Sequence, residues 1–252
     1  MLTEGRRALV VTGGSRGIGA AVARLAGSRG YSVAVNFLSK QEAAYGVVEE
    51  IRSSGGSAVA IRGDVALEAD IIRLFQEAEQ ALGPICGLVN NAGVTGGFSR
   101  VETLEAASLA QVLTANIAGT ILCAREAVKR MSTRRGGRGG AIVNISSLAA
   151  RIGGAGEWVH YAASKGAVDT FTIGLAREVA SEGIRVNAVA PGLIETEIHT
   201  ANGAPDRLER LGPTIPLGRP GSPTEVAEGV LWLLSDAASY TTGSILEIGG
   251  GR

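Results

Sequence analysis

A tyrosine and a lysine four residues apart, Tyr161 and Lys165, are the two side chains of this sequence best suited to moving a proton. Residues four apart share one face of a helix, so the phenol and the ammonium would lie side by side there. An isolated phenol has a pKa of about 10, and a neighbouring ammonium lowers it by favouring the phenolate. Lysine occurs only at Lys40, Lys129 and Lys165, so chance rarely produces this pair. The spacing predicts a general acid/base of the kind that protonates a developing alkoxide.

Two serines, Ser146 and Ser147, end the predicted strand 141–146. Ligands of open parallel sheets bind at the carboxyl ends of the strands. A hydroxyl at this edge can donate a hydrogen bond to a carbonyl or alkoxide oxygen and stabilise the charge that develops on it. Strand-end position alone leaves either serine as that donor.

Three glycines, Gly13, Gly17 and Gly19, follow the first predicted strand and open the first predicted helix. Glycine adopts positive φ angles and lets backbone approach a ligand closely. The N-terminus of the helix then offers unpaired N–H groups and the positive end of its dipole to a pyrophosphate. The spacing Gly-x3-Gly-x-Gly at this place in the fold predicts a phosphate-binding turn for a dinucleotide.

The end of the second predicted strand indicates which dinucleotide binds. An acidic residue there would bind the ribose 2′-hydroxyl of NAD, but residues 36–40 contain no acid. Arg16 in the glycine turn is suited to a 2′-phosphate, with Asn36 and Ser39 as hydrogen-bond partners. The sequence therefore favours NADP(H) over NAD(H).

These residues need a scaffold, and strand-length apolar runs alternate along the chain with longer amphipathic segments. Runs that are apolar throughout are typical of strands covered on both faces, and strand–helix alternation indicates parallel pairing. We predict an α/β fold with one domain over 1–252, a doubly wound (Rossmann) parallel seven-stranded sheet with helices on both faces. The predicted strands are 7–12, 31–37, 57–63, 86–90, 141–146, 184–189 and 243–248, and the predicted helices are 18–30, 40–53, 67–82, 102–131, 160–181 and 224–235.

Composition argues against several classes of protein. Gly occurs 37 times and Pro 7 times in 252 residues without a Gly-X-Y period, which argues against collagen and Pro/Gly-rich disorder. Lys+Arg and Asp+Glu both total 24, a balance that disfavours nucleic-acid binding. Cys86 and Cys123 lie in apolar stretches, so we interpret both as buried and predict no metal site with His160 or His199. Without a signal-peptide core or an apolar run near ~20 residues, we predict a cytoplasmic chain with no membrane span.

Four motifs together resemble the short-chain dehydrogenase/reductase family, and the resemblance covers essentially the whole chain. They are a TGxxxGxG turn at Thr12–Gly19, an NNAG segment at Asn90–Gly93, a YxxxK pair at Tyr161–Lys165 and a Pro-Gly turn at Pro191-Gly192. The resemblance implies an enzyme that interconverts an alcohol and a carbonyl compound with a nicotinamide cofactor.

The resemblance also implies a catalytic tetrad of Asn116, Ser147, Tyr161 and Lys165. In it Tyr161 is the general acid/base, and Lys165 lowers the pKa of Tyr161 and binds the ribose hydroxyls. Asn116 supports a water-linked proton path to Lys165. The serine of the family falls on Ser147, although the interval to Tyr161 is one residue longer than is common and Ser146 stays an alternative.

The cofactor-binding residues are predicted partly from the glycine turn and partly from the resemblance. The family contacts adenine at the position of Asp64 and the nicotinamide carboxamide at the position of Thr196. The full predicted set is Gly13, Ser15, Arg16, Gly17, Ile18, Gly19, Asn36, Phe37, Asp64, Val65, Asn91, Ala92, Gly93, Tyr161, Lys165, Pro191, Gly192, Ile194 and Thr196.

The substrate is left open by these motifs, because it is determined by loops. Segments 94–100, 148–160 and 193–216 are expected to line the pocket, the last as a substrate loop. Trp158 and His160 are interpreted either as pocket walls or as solvent-facing or subunit-contact residues. Residues 191–196 resemble the 3-oxoacyl-[acyl-carrier-protein] reductases of the family, and other stretches resemble its glucose 1-dehydrogenases.

The partners are expected to be a small carbonyl or alcohol substrate and, as the family implies, further copies of the chain in a homotetramer. A basic segment would dock an acyl carrier protein or form a solvated loop; it comprises Lys129, Arg130, Arg134, Arg135 and Arg138. A dinucleotide-sensing protein without catalysis is the rival hypothesis. The complete tetrad argues against a sensor, which needs no proton donor.

Overall fold

The seven strands of this computed structural model, which describes residues 7–197 and 204–252, form one parallel sheet. The strands are β1 (Arg7–Val11), β2 (Tyr31–Phe37), β3 (Ser57–Arg62), β4 (Ile85–Asn90), β5 (Gly140–Ile145), β6 (Ile184–Pro191) and β7 (Ile245–Ile248). Their order is β3-β2-β1-β4-β5-β6-β7, so the predicted doubly wound seven-stranded sheet is confirmed. Strands β2 and β3 are added on one side of β1, and the chain then returns to place β4 on the other side of β1.

Helices cover both faces of the sheet and bury two apolar clusters against it. The helices of the described ranges are α1 (Gly17–Ser28), α2 (Gln41–Ser53), α3 (Glu68–Leu82), α4 (Ala106–Leu113), α5 (Thr120–Met131), α6 (Ala149–Ile152), α7 (Val159–Val179), α8 (Arg207–Leu211) and α9 (Pro223–Leu234). One cluster lies between the sheet and α1, α2 and α9, and the other between the sheet and α3, α5 and α7.

The predicted helix 102–131 differs from the structure in two ways. Residues Val101–Thr103 form a separate 3-10 turn, and a π-helical turn, Thr114–Gly119, joins α4 to α5. Such turns are rare and recur at functional sites. Here the wider turn contains Asn116, whose side chain is fully buried and bonded to backbone outside the helix.

The continuous helical stretch Ala106–Met131 bears on the expectation that the chain has no membrane span. It has 26 residues and mean hydropathy 1.5, so by length and composition one helix of the described chain is long and apolar enough to cross a membrane. Core helices of soluble proteins pass the same test, so this observation is weak evidence for a membrane.

The segment that follows β6 contains regular structure. Ile194 bridges to Gly221, α8 follows at Arg207–Leu211, and α9 begins with a capping box in which Ser222 and Glu225 bond each other's backbone N–H groups. Residues 198–203 of the predicted substrate loop 193–216, with His199, lie outside the described residues.

Candidate active site

The glycine turn after β1 has the backbone that a phosphate site needs. Gly13 and Gly17 adopt φ of +61° and +53°, a region that other residues rarely enter. A Cβ on Gly19 would collide with the side chain of Asn91 and the carbonyl of Gly13. No side chain of the described ranges caps the first turn of α1, so its N–H groups are available to an anion.

Side chains that directly follow β1 and β4 hold this turn in place. The Thr12 hydroxyl accepts hydrogen bonds from the N–H groups of Asn91 and Ala92, both at 3.0 Å. The Asn91 amide donates to the carbonyls of Thr12 and Gly13 at 2.9 and 3.0 Å. The predicted residues Asn91, Ala92 and Gly13 therefore meet at one place on the sheet edge.

Asn36 lies in this region but does not have the role expected from the sequence. Its side chain is buried, and its oxygen accepts a hydrogen bond from Gly13 N at 3.2 Å. Its amide donates to the carbonyls of Ile61 at 3.3 Å and Gly63 at 2.9 Å. Both amide hydrogens are thus used within the fold. The predicted hydrogen bond from Asn36 to a 2′-phosphate is wrong, and the side chain supports the glycine turn instead.

Two arginines lie near the carboxyl ends of β1 and β3. Arg16 is exposed and forms an ion pair with Glu197 at 2.9 Å. Arg62 ends β3, pairs in register with Phe37 and donates from Nε to the carbonyl of Leu38 at 3.2 Å. Arg62 was not among the residues predicted from the sequence, although its position at the end of the strand beside β2 was a usable signal.

The remaining predicted cofactor residues line the same edge. The carboxylate of Asp64 accepts a hydrogen bond from Ala66 N at 2.8 Å, and Val65 is buried. Thr196 faces the glycine turn, since its Cγ2 would lie 3.4 Å from a Cβ on Gly17. Ser15, Ile18 and Phe37 lie in or beside the glycine turn, whereas Pro191, Gly192 and Ile194 follow the course of β6 and its exit.

Lys165 and Tyr161 begin α7, as the spacing predicted. Lys165 is 5% exposed, and its ammonium donates to Ile145 O at 2.6 Å and lies 5.6 Å from the centre of the Tyr161 ring. Burial lowers the pKa of Lys165 to about 8, and the Asp169 carboxylate opposes this shift.

The pKa of Tyr161 moves in the direction opposite to the one expected from the sequence. Burial raises it to about 12, while a hydrogen bond with Ser147 lowers it. The ammonium of Lys165 is bonded to the Ile145 carbonyl rather than to the phenol. Desolvation therefore outweighs the predicted effect of the lysine on the phenol.

The two candidate serines face different partners. Ser147 is hydrogen-bonded to Tyr161 and accepts from Ala149 N at 3.1 Å. Ser146 is bonded to the carboxylate of Asp169 and donates to Lys165 O at 3.4 Å. Ser147 is thus the serine beside the phenol, in agreement with the resemblance.

Asn116 joins this group from the π turn. Its amide donates to Val94 O at 2.8 Å and to the Ser164 hydroxyl at 3.0 Å, and its oxygen accepts from Val94 N at 2.8 Å. Ser164 in turn donates to Tyr161 O at 2.7 Å. Ser164 was not predicted from the sequence, although it lies between Tyr161 and Lys165 on the same helix.

Gly93 leaves a cradle between these side chains and the glycine turn. A Cβ there would lie 3.1 Å from Asn116 Oδ1 and 3.7 Å from Lys165 Nζ. This open space, together with the uncapped N-terminus of α1, fits a dinucleotide that runs from the glycine turn to Tyr161.

Trp158 and His160 are both buried, at 7% and 6% exposure, so the solvent-facing interpretation is wrong for this chain. The Trp158 ring stacks on Phe98 with 4.6 Å between centroids and meets the Tyr161 ring edge-on at 5.9 Å. His160 Nε2 hydrogen-bonds Thr95 O at 2.8 Å. Trp158 is therefore a wall beside the phenol, and His160 supports the loop after β4.

The cysteines differ in burial. Cys123 is 1% exposed, as predicted, whereas Cys86 is only partly buried. Among the described residues, no three His, Cys, Asp or Glu side chains are grouped so that they could hold a metal ion.

Comparison with known proteins gives matches over nearly the whole chain. A family model described as Enoyl-(Acyl carrier protein) reductase matches residues 13–252. An uncharacterized oxidoreductase of Escherichia coli (strain K12), YgfF, is 49% identical over 243 residues, 96% of this chain and 98% of that protein. A 3-oxoacyl-[acyl-carrier-protein] reductase, FabG, of Staphylococcus aureus is 37% identical over 246 residues, 97% of both.

Two solved structures share the fold closely. A dehydrogenase/reductase from Sinorhizobium meliloti 1021 has a TM-score of 0.90 at 35% identity and covers 98% of this chain and 95% of its own. A short-chain dehydrogenase/reductase double mutant from Serratia marcescens has a TM-score of 0.90 at 32% identity and covers 98% of both chains.

Proposed function

The chain belongs to the short-chain dehydrogenase/reductase family of NAD(P)-dependent oxidoreductases, and we propose that it interconverts a secondary alcohol and a ketone with NADP(H). The observation that carries the proposal is the meeting of Asn116, Ser147, Tyr161 and Lys165 beside the glycine turn. A protein that only senses a dinucleotide would need the turn but not this proton-moving group.

In the proposed mechanism Tyr161 gives its phenolic proton to the substrate oxygen during reduction and recovers it during oxidation. Ser147, which already bonds the phenol, holds the same oxygen as negative charge develops on it. Lys165 stabilises the phenolate, and Asn116 with Ser164 fixes the first turns of α7 that carry both groups. A bound nicotinamide cofactor would supply or accept the hydride.

The preference for NADP(H) rests on charge at the adenosine end of the cleft. Arg16 and Arg62 lie at this end, Lys40 is exposed after β2, and residues 36–40 contribute no carboxylate to bind a ribose 2′-hydroxyl. The Arg16–Glu197 pair is exposed and therefore weak, so it yields readily to a phosphate. A guanidinium binds phosphate through charge-assisted hydrogen bonds.

An acyl carrier protein is a second candidate partner, favoured by the similarity to the S. aureus 3-oxoacyl-[acyl-carrier-protein] reductase. The basic segment that would dock it is partly neutralised within the fold. Lys129 and Arg130 bond Glu126, both at 2.8 Å, and Arg134 pairs with Glu182 at 3.3 Å. The remaining exposed cations of this segment are Arg135 and Arg138. We therefore favour a small free substrate over one carried by a protein, and a free aldose, as for a glucose 1-dehydrogenase, is an alternative of the same kind. The enzyme is proposed to be a cytoplasmic homotetramer.

The test combines cofactor titration with a carbonyl panel. We expect NADPH to bind more tightly than NADH by fluorescence, and turnover of one or more β-ketoacyl thioesters, diketones, ketosteroids or aldoses. Tyr161→Phe should lower kcat by a factor of about 10²–10⁴, while the control Tyr240→Phe, at an exposed residue, should leave kcat unchanged. No turnover of any substrate, or full activity in Tyr161→Phe, would contradict the mechanism, and tighter NADH binding would contradict the cofactor preference.

A further inference from the structure

Arg207 is a charged side chain buried on α8, the short helix of the substrate loop, with 6% of the side chain exposed. A buried guanidinium is unfavourable unless it is paired and packed. We infer that Arg207 is a specificity-determining residue, a latch that holds α8 against the wall beside Tyr161 and restricts the enzyme to compact carbonyl substrates. This inference rests on the proposed function and names the substrate class of that same site.

The first contact of the latch is an ion pair between loops. Arg207 Nη1 donates to Glu157 Oε1 at 2.6 Å, and this guanidinium holds the pKa of the Glu157 carboxyl below its usual range. Glu157 lies just before α7, whereas Arg207 lies fifty positions later in the chain. The pair thus joins the substrate loop to the segment that leads into Tyr161.

The second contact is a stack of one guanidinium on two aromatic rings. Arg207 Cζ lies 4.6 Å from the centre of the Trp158 ring and 5.7 Å from that of Phe98. The two rings are themselves 4.6 Å apart at an angle of 21°. Cation–π attraction is stronger where the cation is desolvated, as it is here.

A backbone hydrogen bond brings the third pocket segment into the same cluster. Ser99 N donates to Glu157 O at 3.0 Å, next to Phe98. The segments 94–100, 153–158 and 204–211, each within a stretch expected to line the pocket, therefore meet at Arg207. Removal of its charge would loosen all three together.

The cluster is unlike an ordinary stabilising core. Arg207 Nε is buried and donates no hydrogen bond to any atom in the described ranges. A buried donor without a partner lowers stability. The arrangement is therefore better suited to closing a loop than to maximising the free energy of unfolding.

Closure limits the room beside the catalytic phenol. Phe98 and Arg207 cover the Trp158 ring, which is 7% exposed and meets Tyr161 edge-on at 5.9 Å. A compact carbonyl compound can approach Tyr161 with this wall in place. A long acyl chain that leaves the cleft on this side must first separate Arg207 from Glu157 and Trp158, which reduces its apparent affinity.

The experiment compares Arg207→Met, which keeps an unbranched apolar side chain but removes the guanidinium and its charge, with Arg210→Met, a substitution of an exposed arginine on the same helix. The substrates are a short methyl ketone and a 3-oxoacyl thioester with a long chain. We expect Arg207→Met to raise the ratio of kcat/KM for the long substrate over the short one about tenfold, equivalent to about 1.4 kcal/mol, and Glu157→Gln to shift it the same way. Arg210→Met should leave the ratio unchanged. An unchanged ratio in Arg207→Met would overturn the latch.

A second readout needs no turnover. The chain has two Trp, so Trp232→Phe leaves Trp158 as the single indole. Acrylamide should quench the Trp158 fluorescence of Trp232→Phe weakly, and that of the double variant with Arg207→Met several-fold more strongly. Circular dichroism checks that both proteins fold. Equal quenching of the two variants would refute the latch even if no substrate is found. A wild type without activity on any substrate, together with increased quenching in the Arg207→Met form, would refute the proposed function and retain the latch.

Discussion

Lys165 is a buried cation whose loss of hydration is only partly offset by its contacts within the fold. Its ammonium donates to the Ile145 carbonyl, and its pKa is lowered from 10.5 to about 8 by burial. A lowered pKa means that the folded protein binds this proton less tightly than the unfolded chain does. The residue is therefore placed for chemistry at the expense of stability.

Replacing Lys165 by Met should stabilise the cofactor-free protein at pH 7 by about 2 kcal/mol while abolishing turnover. Between pH 8 and 10.5 the unfolded wild type binds more protons than the folded one, so its stability rises with pH relative to the variant. The advantage of Lys165→Met should therefore shrink from pH 7 to pH 9.5 in thermal melts. Tyr161, with a folded pKa of about 12, affects stability only above pH 10.

The exposed Lys40 supplies the control. Lys40→Met should change the melting temperature little at either pH, as is usual for surface substitutions. A stability difference between wild type and Lys165→Met that does not vary between pH 7 and pH 9.5 would contradict the lowered pKa.

At the scale of single residues, the sequence predicted those site residues that are related by local spacing. It did not predict roles that depend on a hydrogen-bond partner distant in the chain. Tyr161 and Lys165 are four apart on one helix, so periodicity alone placed them together. The role of Asn36 was mistaken because its carbonyl partners, Ile61 and Gly63, belong to the neighbouring strand. Burial of the ammonium and the resulting pKa shifts likewise depend on packing that one sequence does not display.

Among the elements, α7 is fixed to the sheet by a chain of buried polar side chains. Asn90 donates to Asn144 Oδ1 at 2.9 Å, and Asn144 donates to the Thr172 hydroxyl at 2.9 Å. Thr172 donates in turn to Val168 O at 2.8 Å within the helix. These bonds run from β4 through β5 to α7 and so set the position of the helix that carries Tyr161 and Lys165.

Thr172→Val keeps the shape of the side chain and should cost about 1–3 kcal/mol, because it leaves the buried amide of Asn144 without an acceptor. Urea denaturation should show a lower midpoint with an unchanged m-value. Since α7 would shift on the sheet, kcat should fall more than KM changes. Thr170→Val, exposed on the same helix, should stay within about 0.5 kcal/mol; equal effects of the two substitutions would exclude the polar chain as the cause.

Element boundaries followed from the sequence where burial is uniform. Every residue of β2 is buried, and its apolar run predicted its limits correctly. The helix over 102–131 was predicted less well because the π turn depends on bonds from Asn116 to Val94, a residue outside the helix. The Glu157–Arg207 pair was also missed, since no local pattern relates two residues so far apart in sequence.

For the whole molecule, the strand order separates two tasks. The half of the sheet with β1, β2 and β3 carries the glycine turn and the cations, and the half from β4 to β7 carries the tetrad and the substrate loop. The halves meet where β1 pairs with β4, the switch point at which open α/β sheets bind ligands. One cleft thus collects side chains from most of the chain length without any insertion into the sheet.

The outer helices of the second half keep apolar side chains in solvent, which is where copies of the chain would meet. Leu113 and Ile121 on the helical stretch Ala106–Met131 are 39% and 38% exposed, and Ile173 on α7 is 36% exposed. Contiguous exposed apolar surface marks interfaces, and most soluble oligomers are closed and symmetric. An interface between copies of the chain at this surface would account for the length and apolar composition of the helical stretch Ala106–Met131.

Ile121→Glu places a charge on this surface and should dissociate the proposed tetramer, because a carboxylate buried without a partner is costly. Light scattering after size exclusion should give about four times the 25.7 kDa of one chain for the wild type and a smaller species for the variant. Tyr45→Gln on α2, an exposed aromatic residue beside β2 and β3, should leave the mass unchanged. A monomeric wild type would contradict the assembly itself, and an unchanged mass in Ile121→Glu would move the interface to another face, such as that of Trp232 on α9.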